Sequence, residues 1–266
     1  MNETMEVPQI FELDYYQRLY DIEEQHGWAQ GLRDAMDALL QPVLNGKRLR
    51  VLDVGCGTGY LLGYLQRYPL DGEVVGIDIS HYALQFCRQR GANPLAIASA
   101  TQLPFPAASF DLIICIDTIQ HLTPTGADLV AVKEFARLLC PGGLLYLRTN
   151  SARGHRPLEG ADPDQYRRYY LTELVRMHAQ AGMQPVRATY LNAIPGLWAM
   201  MREYVQTSRR KVRAIGPGLS IQVYPPEKAW LNWAIYRTLA FEAWMIGKAH
   251  VNLPFGHSTA VVSRKG

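Results

Sequence analysis

A chain of 266 residues with 48% hydrophobic and 19% charged side chains can bury one large core, or a core domain with a substantial insertion. Its formal charge of +3 is too small to argue for a nucleic-acid partner, and Cys56, Cys87, Cys115 and Cys140, widely spaced with no C-x-x-C pair, favour free buried thiols over bridges or zinc ligands. The N-terminus lacks an ordered basic region, apolar run and cleavage site, so no signal peptide and a cytoplasmic location are expected.

From Phe11 to Leu44 the spacing of Tyr15, Tyr16, Leu19 and Tyr20 predicts a helical cap, residues 1–45, over one end of a sheet. The stretch VLDVGCGTG, Val51 to Gly59, then reads as a buried strand ending in a tight turn, with Gly55, Gly57 and Gly59 at alternate positions where backbone can take positive φ and a ligand can approach closely. YLLGYLQRY continues it as a helix packed on a sheet, the opening of a nucleotide-binding unit. Tyr60 stands where a dinucleotide fingerprint needs its third glycine, and Asp53 would face a pyrophosphate with like charge, so a diphosphate fits poorly and a cationic ligand fits well.

Gly72 to Ser80 repeats the design of a strand ending in an acid, and Asp78 lies 19 residues beyond Gly59, close to the ~20 at which such folds place a ribose-binding carboxylate. Ser80 is the expected cap of the next helix, which leaves Asp78 for both ribose hydroxyls and Ile79 for the adenine face. Asn93 to Phe105 gives a short strand and a loop. Ser109 to Leu122 gives a strand with the apolar run Ile113 to Ile116, buried on both faces, whose exit carries Asp117, Gln120 and His121. An amphipathic helix, Ala127 to Leu139, is stopped by CPGG; Leu144 to Asn150 is the fifth strand, and QYRRYYLTELVRMHAQAGM is a helix ended by Gly182. Gln184 to Leu191 and Ser258 to Ser263 are the last two strands.

These motifs, in this order, resemble the class I S-adenosylmethionine (SAM) methyltransferases, whose first motif, D-x-G-x-G-x-G, is matched by Asp53, Gly55, Gly57 and Gly59. The resemblance covers roughly Arg50 to Tyr190. It implies SAM as cofactor, held by the Asp53 to Gly59 turn including Cys56, by Asp78 and Ile79, by Tyr16, and by Ile116 on the cleft wall. The adenine edge would be read by Ser99, which replaces the family's acid, or by backbone at Ala100 and Thr101. CPGG matches the family's L-K-P-G-G with its lysine lost. HGWAQGLR resembles the HWW-x-x-x-R stretch of one bacterial branch, which implies Arg33 on the SAM carboxylate, with Gly27 in place of an aromatic. Tyr166, Arg167, Arg168 and Tyr169 resemble the R-R-Y stretch of the same branch.

The implied fold is α/β, a doubly wound, seven-stranded, mostly parallel sheet with an antiparallel last strand. Residues 46–191 would be the core, 192–254 a helical insertion forming a lid or dimer contact, and 255–266 the last strand. The insertion carries Arg209, Arg210, Lys211 and Arg213, then a helix from Glu227 to Gly247 with Trp230, Trp233, Phe241 and Trp244. Peripheral membrane contact by these aromatics is weighed and not favoured. The implied activity is methyl transfer to an oxygen or nitrogen of a small or medium-sized acceptor. His121 would act as general base or orienter, with Asp117 beside it. Gln120, Asn150, His155, Arg168 and Tyr169 would meet the acceptor, although a solvated basic face is the favoured reading of His155, Arg167 and Arg168. No metal and no nucleic-acid partner are implied, and the protein would be a monomer or homodimer. A SAM-binding subunit without catalysis and a nicotinamide oxidoreductase are the alternatives.

Overall fold

Short apolar runs that end in glycine or an acid become the centre of the sheet in the computed structural model, which describes residues 11–44, 46, 48–153, 166–197, 201 and 229–266. Strands β1 (Val51–Val54), β2 (Val75–Asp78), β3 (Leu95–Ile97), β4 (Phe110–Ile116) and β5 (Leu139–Asn150) run parallel, and β7 (Ser258–Lys265) lies antiparallel between β5 and β6 (Met183–Leu191). The order β3-β2-β1-β4-β5-β7-β6 reverses direction between β1 and β4, which opens a crevice at their carboxyl ends, where such sheets bind ligands.

Successive side chains on β4 point to opposite faces, so each face builds its own core. Leu112 and Ile114 pack with α2 (Gly27–Leu40), α3 (Tyr60–Leu65) and α4 (His81–Gln89); Ile113 and Cys115 pack with α5 (Ala127–Leu138) and α6 (Leu171–Gln180). Helix α1 (Leu13–Ile22) lies on α4 through Tyr16, Ala83 and Phe86. All four cysteines are free, and Cys140 alone among them is partly exposed.

Three local readings change. The helical pattern from Phe11 to Leu44 divides after Ile22, because His26 takes the N-cap of α2 with its ring nitrogen accepting from Trp28 N at 3.2 Å. The stretch Tyr166 to Tyr170 is extended: Tyr169 pairs with Ser151, and α6 starts at Leu171, where the Glu173 carboxylate accepts from Tyr170 N. CPGG does not precede the fifth strand but lies inside it, since Leu139 already pairs with Phe110 and the register shifts before Leu112 meets Leu144.

The last helix, α7 (Ala229–Lys248), packs on α2 at close range. A Cβ on Gly31 would stand 2.3 Å from the Leu239 Cβ, and one on Gly27 would stand 2.2 Å from the Asn232 carbonyl oxygen. Asn232 accepts from Gly27 N at 2.7 Å and donates to the Gln25 carbonyl. This explains why Gly27 replaces an aromatic: a side chain there would push α7 away. Glu242, buried on α7, accepts from Ala193 N and Ile194 N, and so ties the helix to the chain leaving β6. The basic stretch Arg209 to Arg213 lies outside the described residues.

Candidate active site

The glycine turn is fastened to the end of β2. Gly55 N and Cys56 N both donate to the Ile77 carbonyl, at 2.8 and 2.9 Å, and Gly57 N donates to Asp78 Oδ2 at 3.0 Å. Gly55 takes φ +74° because a Cβ there would fall 2.0 Å from Thr118 Oγ1, whereas at Gly57 the nearest side chain, Leu19 of α1, is 3.7 Å from a built Cβ. Backbone at Gly57 therefore borders open space roofed by α1.

Asp78 is not left free by Ser80. Its Oδ1 accepts from Ser80 N at 2.9 Å, and Ser80 makes no side-chain capping bond, its hydroxyl lying instead at Tyr16. Asp78 thus accepts from the backbone of Gly57 and Ser80, with Ile79 N close by, and a carboxylate with about four acceptor sites still has room for another donor. Burial raises the Asp78 pKa against these backbone bonds. Ile79 is exposed beside it. Ser99 Oγ and Thr101 Oγ1 bond to each other at 2.8 Å, and Ala100 is buried.

Asp53 at the end of β1 is buried, and its Oδ2 has no partner among the described residues. Burial first, then the charges of Asp78 and Glu23, push its pKa up to about 8. Glu23 is itself raised to about 7 by burial, against the Thr58 hydroxyl, Arg90 and Arg33. Three buried carboxylates around an open glycine backbone fit a cationic ligand with hydroxyls, as SAM is. The residues that would hold it are Asp53, the turn and Asp78.

Arg33 is placed differently from the expectation: its guanidinium lies 4.4 Å from the Tyr60 ring and donates to the Glu23 carbonyl at 3.3 Å, and burial lowers its pKa. The sequence reading missed Arg90. It donates to the Thr58 and Tyr20 carbonyls, pairs with Glu23 and Glu24, and stacks on Tyr20 at 4.1 Å, while Glu23 meets the Thr58 hydroxyl. Arg90 therefore pins the end of α1 over the glycine turn.

The other wall of the crevice is the exit of β4. Asp117 takes φ +51°, and its Oδ2 pairs with the buried Arg148, which lies 5.6 Å from the Trp28 ring. Its Oδ1 is buried without a partner among the described residues, and so is His121 Nδ1. Ile116 lines the same exit, half-buried. Burial lowers the His121 pKa to about 4, against the Asp117 charge. Gln120 is buried with Oε1 accepting from Thr149 Oγ1 at 2.7 Å and from Asn150 N at 3.2 Å, and its Nε2 lies 3.2 Å from His121 Nε2.

Of the expected acceptor residues, Asn150 donates to the Tyr166 hydroxyl, and the Tyr166 ring is 5.4 Å from His121. Arg168 Nη1 is buried without a partner. Tyr169 instead belongs to the core, its hydroxyl on Asp128 and the Ile119 carbonyl, and Arg167 also pairs with Asp128. His155 lies outside the described residues. Tyr15 was missed. Burial, then the charges of Asp117 and Asp78, raise its hydroxyl pKa, and this places it between the two walls. Tyr16 is buried near Asp78 with its hydroxyl pKa raised by burial. A tyrosine pair on one helix turn is the sequence signal for both.

The strand order and the crevice at the switch between β1 and β4 are those of a nucleotide-binding α/β sheet. Residues 52–147 match the family described as a methyltransferase domain. Over 153 residues the chain is 35% identical to a ubiquinone/menaquinone biosynthesis C-methyltransferase UbiE of Neisseria meningitidis, covering 48% of this chain and 60% of that relative. The chain therefore matches less than two thirds of the length of this curated relative. Among solved structures it resembles a complex between the Haloferax volcanii Trm112 methyltransferase activator and a methyltransferase (TM-score 0.60, 19% identity, 94% of each chain). It also resembles a SAM-dependent methyltransferase of Thermotoga maritima (TM-score 0.57, 17% identity, 96% of each chain). At these identities the structures speak for the fold alone.

Proposed function

We propose that this chain transfers a methyl group from SAM to a small or medium-sized acceptor that presents a hydroxyl to Asp117 and His121. One observation supports the reading. Asp53 Oδ2, Asp117 Oδ1 and His121 Nδ1 are buried polar atoms without partners among the described residues, at the ends of the neighbouring strands β1 and β4, where a buried unpaired group is costly unless a ligand meets it. When bound, SAM supplies an electrophilic methyl on a sulfonium, and Asp53 is the carboxylate placed for its positive charge.

The Gln120 amide decides what His121 does. Its oxygen is committed to Asn150 N, so its Nε2 donates, and the nitrogen of His121 that receives this bond must be the one without a proton. His121 is then the Nδ1–H tautomer, neutral, and offers a donor rather than a lone pair to the crevice. Asp117 Oδ1 is the acceptor on the same wall. A hydroxyl held between them donates to Asp117 and accepts from His121, which aligns its lone pair with the methyl; alignment is the main contribution such a site makes.

Methylation at oxygen or nitrogen was the expectation from sequence, and the Neisseria relative is named a C-methyltransferase. A hydroxyl on a conjugated ring or enol accommodates oxygen and carbon, because removing its proton raises electron density at both. An amine would meet the same residues without needing Asp117 for a proton. We read residues 192–254 as an insertion and the protein as a monomer or homodimer without a nucleic-acid partner. The test is incubation with methyl-labelled SAM and a panel of phenols, enols and amines. Formation of S-adenosylhomocysteine with one of them, with NMR locating the label, is expected. SAM binding with no turnover across the panel would leave the non-catalytic subunit, and preferential binding of a nicotinamide dinucleotide would overturn the cofactor.

A further inference from the structure

Helix α7 has two unlike faces. Leu239, Ala243 and Ile246 are buried against the core, together with Glu242. The opposite face carries Trp230, Trp233, Arg237, Phe241, Trp244 and Lys248 at spacings of three and four, which on a helix is one straight stripe. Its aromatics are 64%, 64%, 52% and 56% exposed in chain order. Phe241 and Trp244 stack at 5.7 Å, and the Arg237 guanidinium lies 5.8 Å from the Trp233 ring. At roughly 200 Å² per aromatic side chain this is about 450 Å² of exposed aromatic surface, at the upper end of what a monomer leaves in water without a use.

From this stripe we infer that α7 is a docking face for an anionic phospholipid surface, on which the helix lies flat. Three features select this occupant. The stripe contains two cations and no acid among the described residues, because the acid of α7, Glu242, points into the protein. Tryptophan, phenylalanine and basic side chains on one helical face are the composition that settles at the boundary of headgroups and acyl chains. A second copy is disfavoured by area, since a stable interface buries about 800 Å² per partner. An acceptor pocket is disfavoured by direction, since the stripe faces away from α2 and the sheet. The helix lies on the bilayer rather than crossing it: among the described residues no helix is long and apolar enough to span a membrane.

The inference stands apart from methyl transfer and is read without turnover. The full chain is sedimented with vesicles of phosphatidylcholine alone and of phosphatidylcholine mixed with phosphatidylglycerol, at low and high salt, while tryptophan emission is followed. Pelleting with the mixed vesicles, weakened by salt and accompanied by a blue shift, is the expected result. Replacing Trp230, Trp233, Phe241 and Trp244 together by serine should weaken binding by about tenfold or more. The pair Arg237→Glu and Lys248→Glu, which leaves the aromatics in place, should weaken binding to the mixed vesicles by about fivefold or more and leave the weak binding to neutral vesicles unchanged. A wild-type chain that stays in the supernatant overturns the proposal, as does equal pelleting of folded variants. A wild-type dimer that the serine variant dissociates, without vesicle binding, assigns the stripe to a second copy instead.

Discussion

Gln120 Nε2 lies 3.2 Å from His121 Nε2, and the Gln120 oxygen is held by Thr149 and Asn150, so the glutamine amide sets the histidine tautomer. A glutamate at this place would impose the opposite tautomer, since a carboxylate accepts where the amide donates. Gln120→Glu should therefore raise the His121 pKa from about 4 and move the acid limb of the pH–rate profile upward. His121→Ala should cost ~10² in turnover with SAM affinity kept, the loss of an orienter. An unmoved acid limb in Gln120→Glu would sink the tautomer argument.

Asp53 gives a pH dependence whose sign is fixed. An acid raised to about 8 in the folded protein is protonated there at neutral pH, while the unfolded acid is ionised, so the ligand-free fold loses stability as pH rises from about 4 to about 8 and loses no more above it. A cation binds the ionised form best. SAM affinity should increase between pH 6 and 8 by up to about tenfold per unit, and Asp53→Asn should flatten the curve while raising the melting temperature of the free protein. Isothermal titration across this range measures both trends. A flat wild-type curve counts against Asp53 as the counter-charge.

Asp78 joins turn and ribose reading. Asp78→Asn keeps one carbonyl acceptor and loses the charge, and it should weaken SAM by ~1.5 to 3 kcal/mol, the scale of hydrogen bonds to an ionised group. Deoxyadenosyl analogues lacking one ribose hydroxyl should lose less in this variant than in the wild type. Equal losses in both would place the ribose elsewhere.

Gly31 tests the helix crossing. Gly31→Ala sets a methyl 2.3 Å from the Leu239 Cβ, so α7 must shift, at a cost of about 1 to 3 kcal/mol for overpacking. Differential scanning calorimetry should record a lower melting temperature. In a double-mutant cycle with Leu239→Gly, which removes the Cβ that the new methyl meets, Gly31→Ala should cost less than in the wild type, and an equal cost would mean that the strain lies elsewhere.

The core of the fold is legible because VLDVGCGTG and GEVVGIDIS each state a buried strand and its end within nine residues. What failed to show is set by distant partners. Gly27 reads as a weakened motif until Asn232 stands against it, and Tyr166 to Tyr170 reads as helix until Tyr169 pairs with Ser151. Tyr15 shows in the sequence only as half of a tyrosine pair, and its nearness to the charges of Asp117 and Asp78 depends on how α1 folds back across the turn. Arg90 resembles any helix-terminal arginine, and its five contacts around Glu23 and Thr58 are made by tertiary approach.

Ser258 pairs with Leu191 on one side and with Asn150 on the other. The chain leaves the sheet at Leu191 and re-enters it at Ser258 on the same rung, with Leu253 bridged to Tyr190 just before re-entry, and closing a longer excursion costs only ~0.6 kcal/mol per doubling of its length. The sheet is indifferent to what is spliced in at that rung, provided the α2 glycines still meet a helix. Leu191 and Ser258 are therefore the natural cut points for a chimera that grafts a different outer segment onto this sheet.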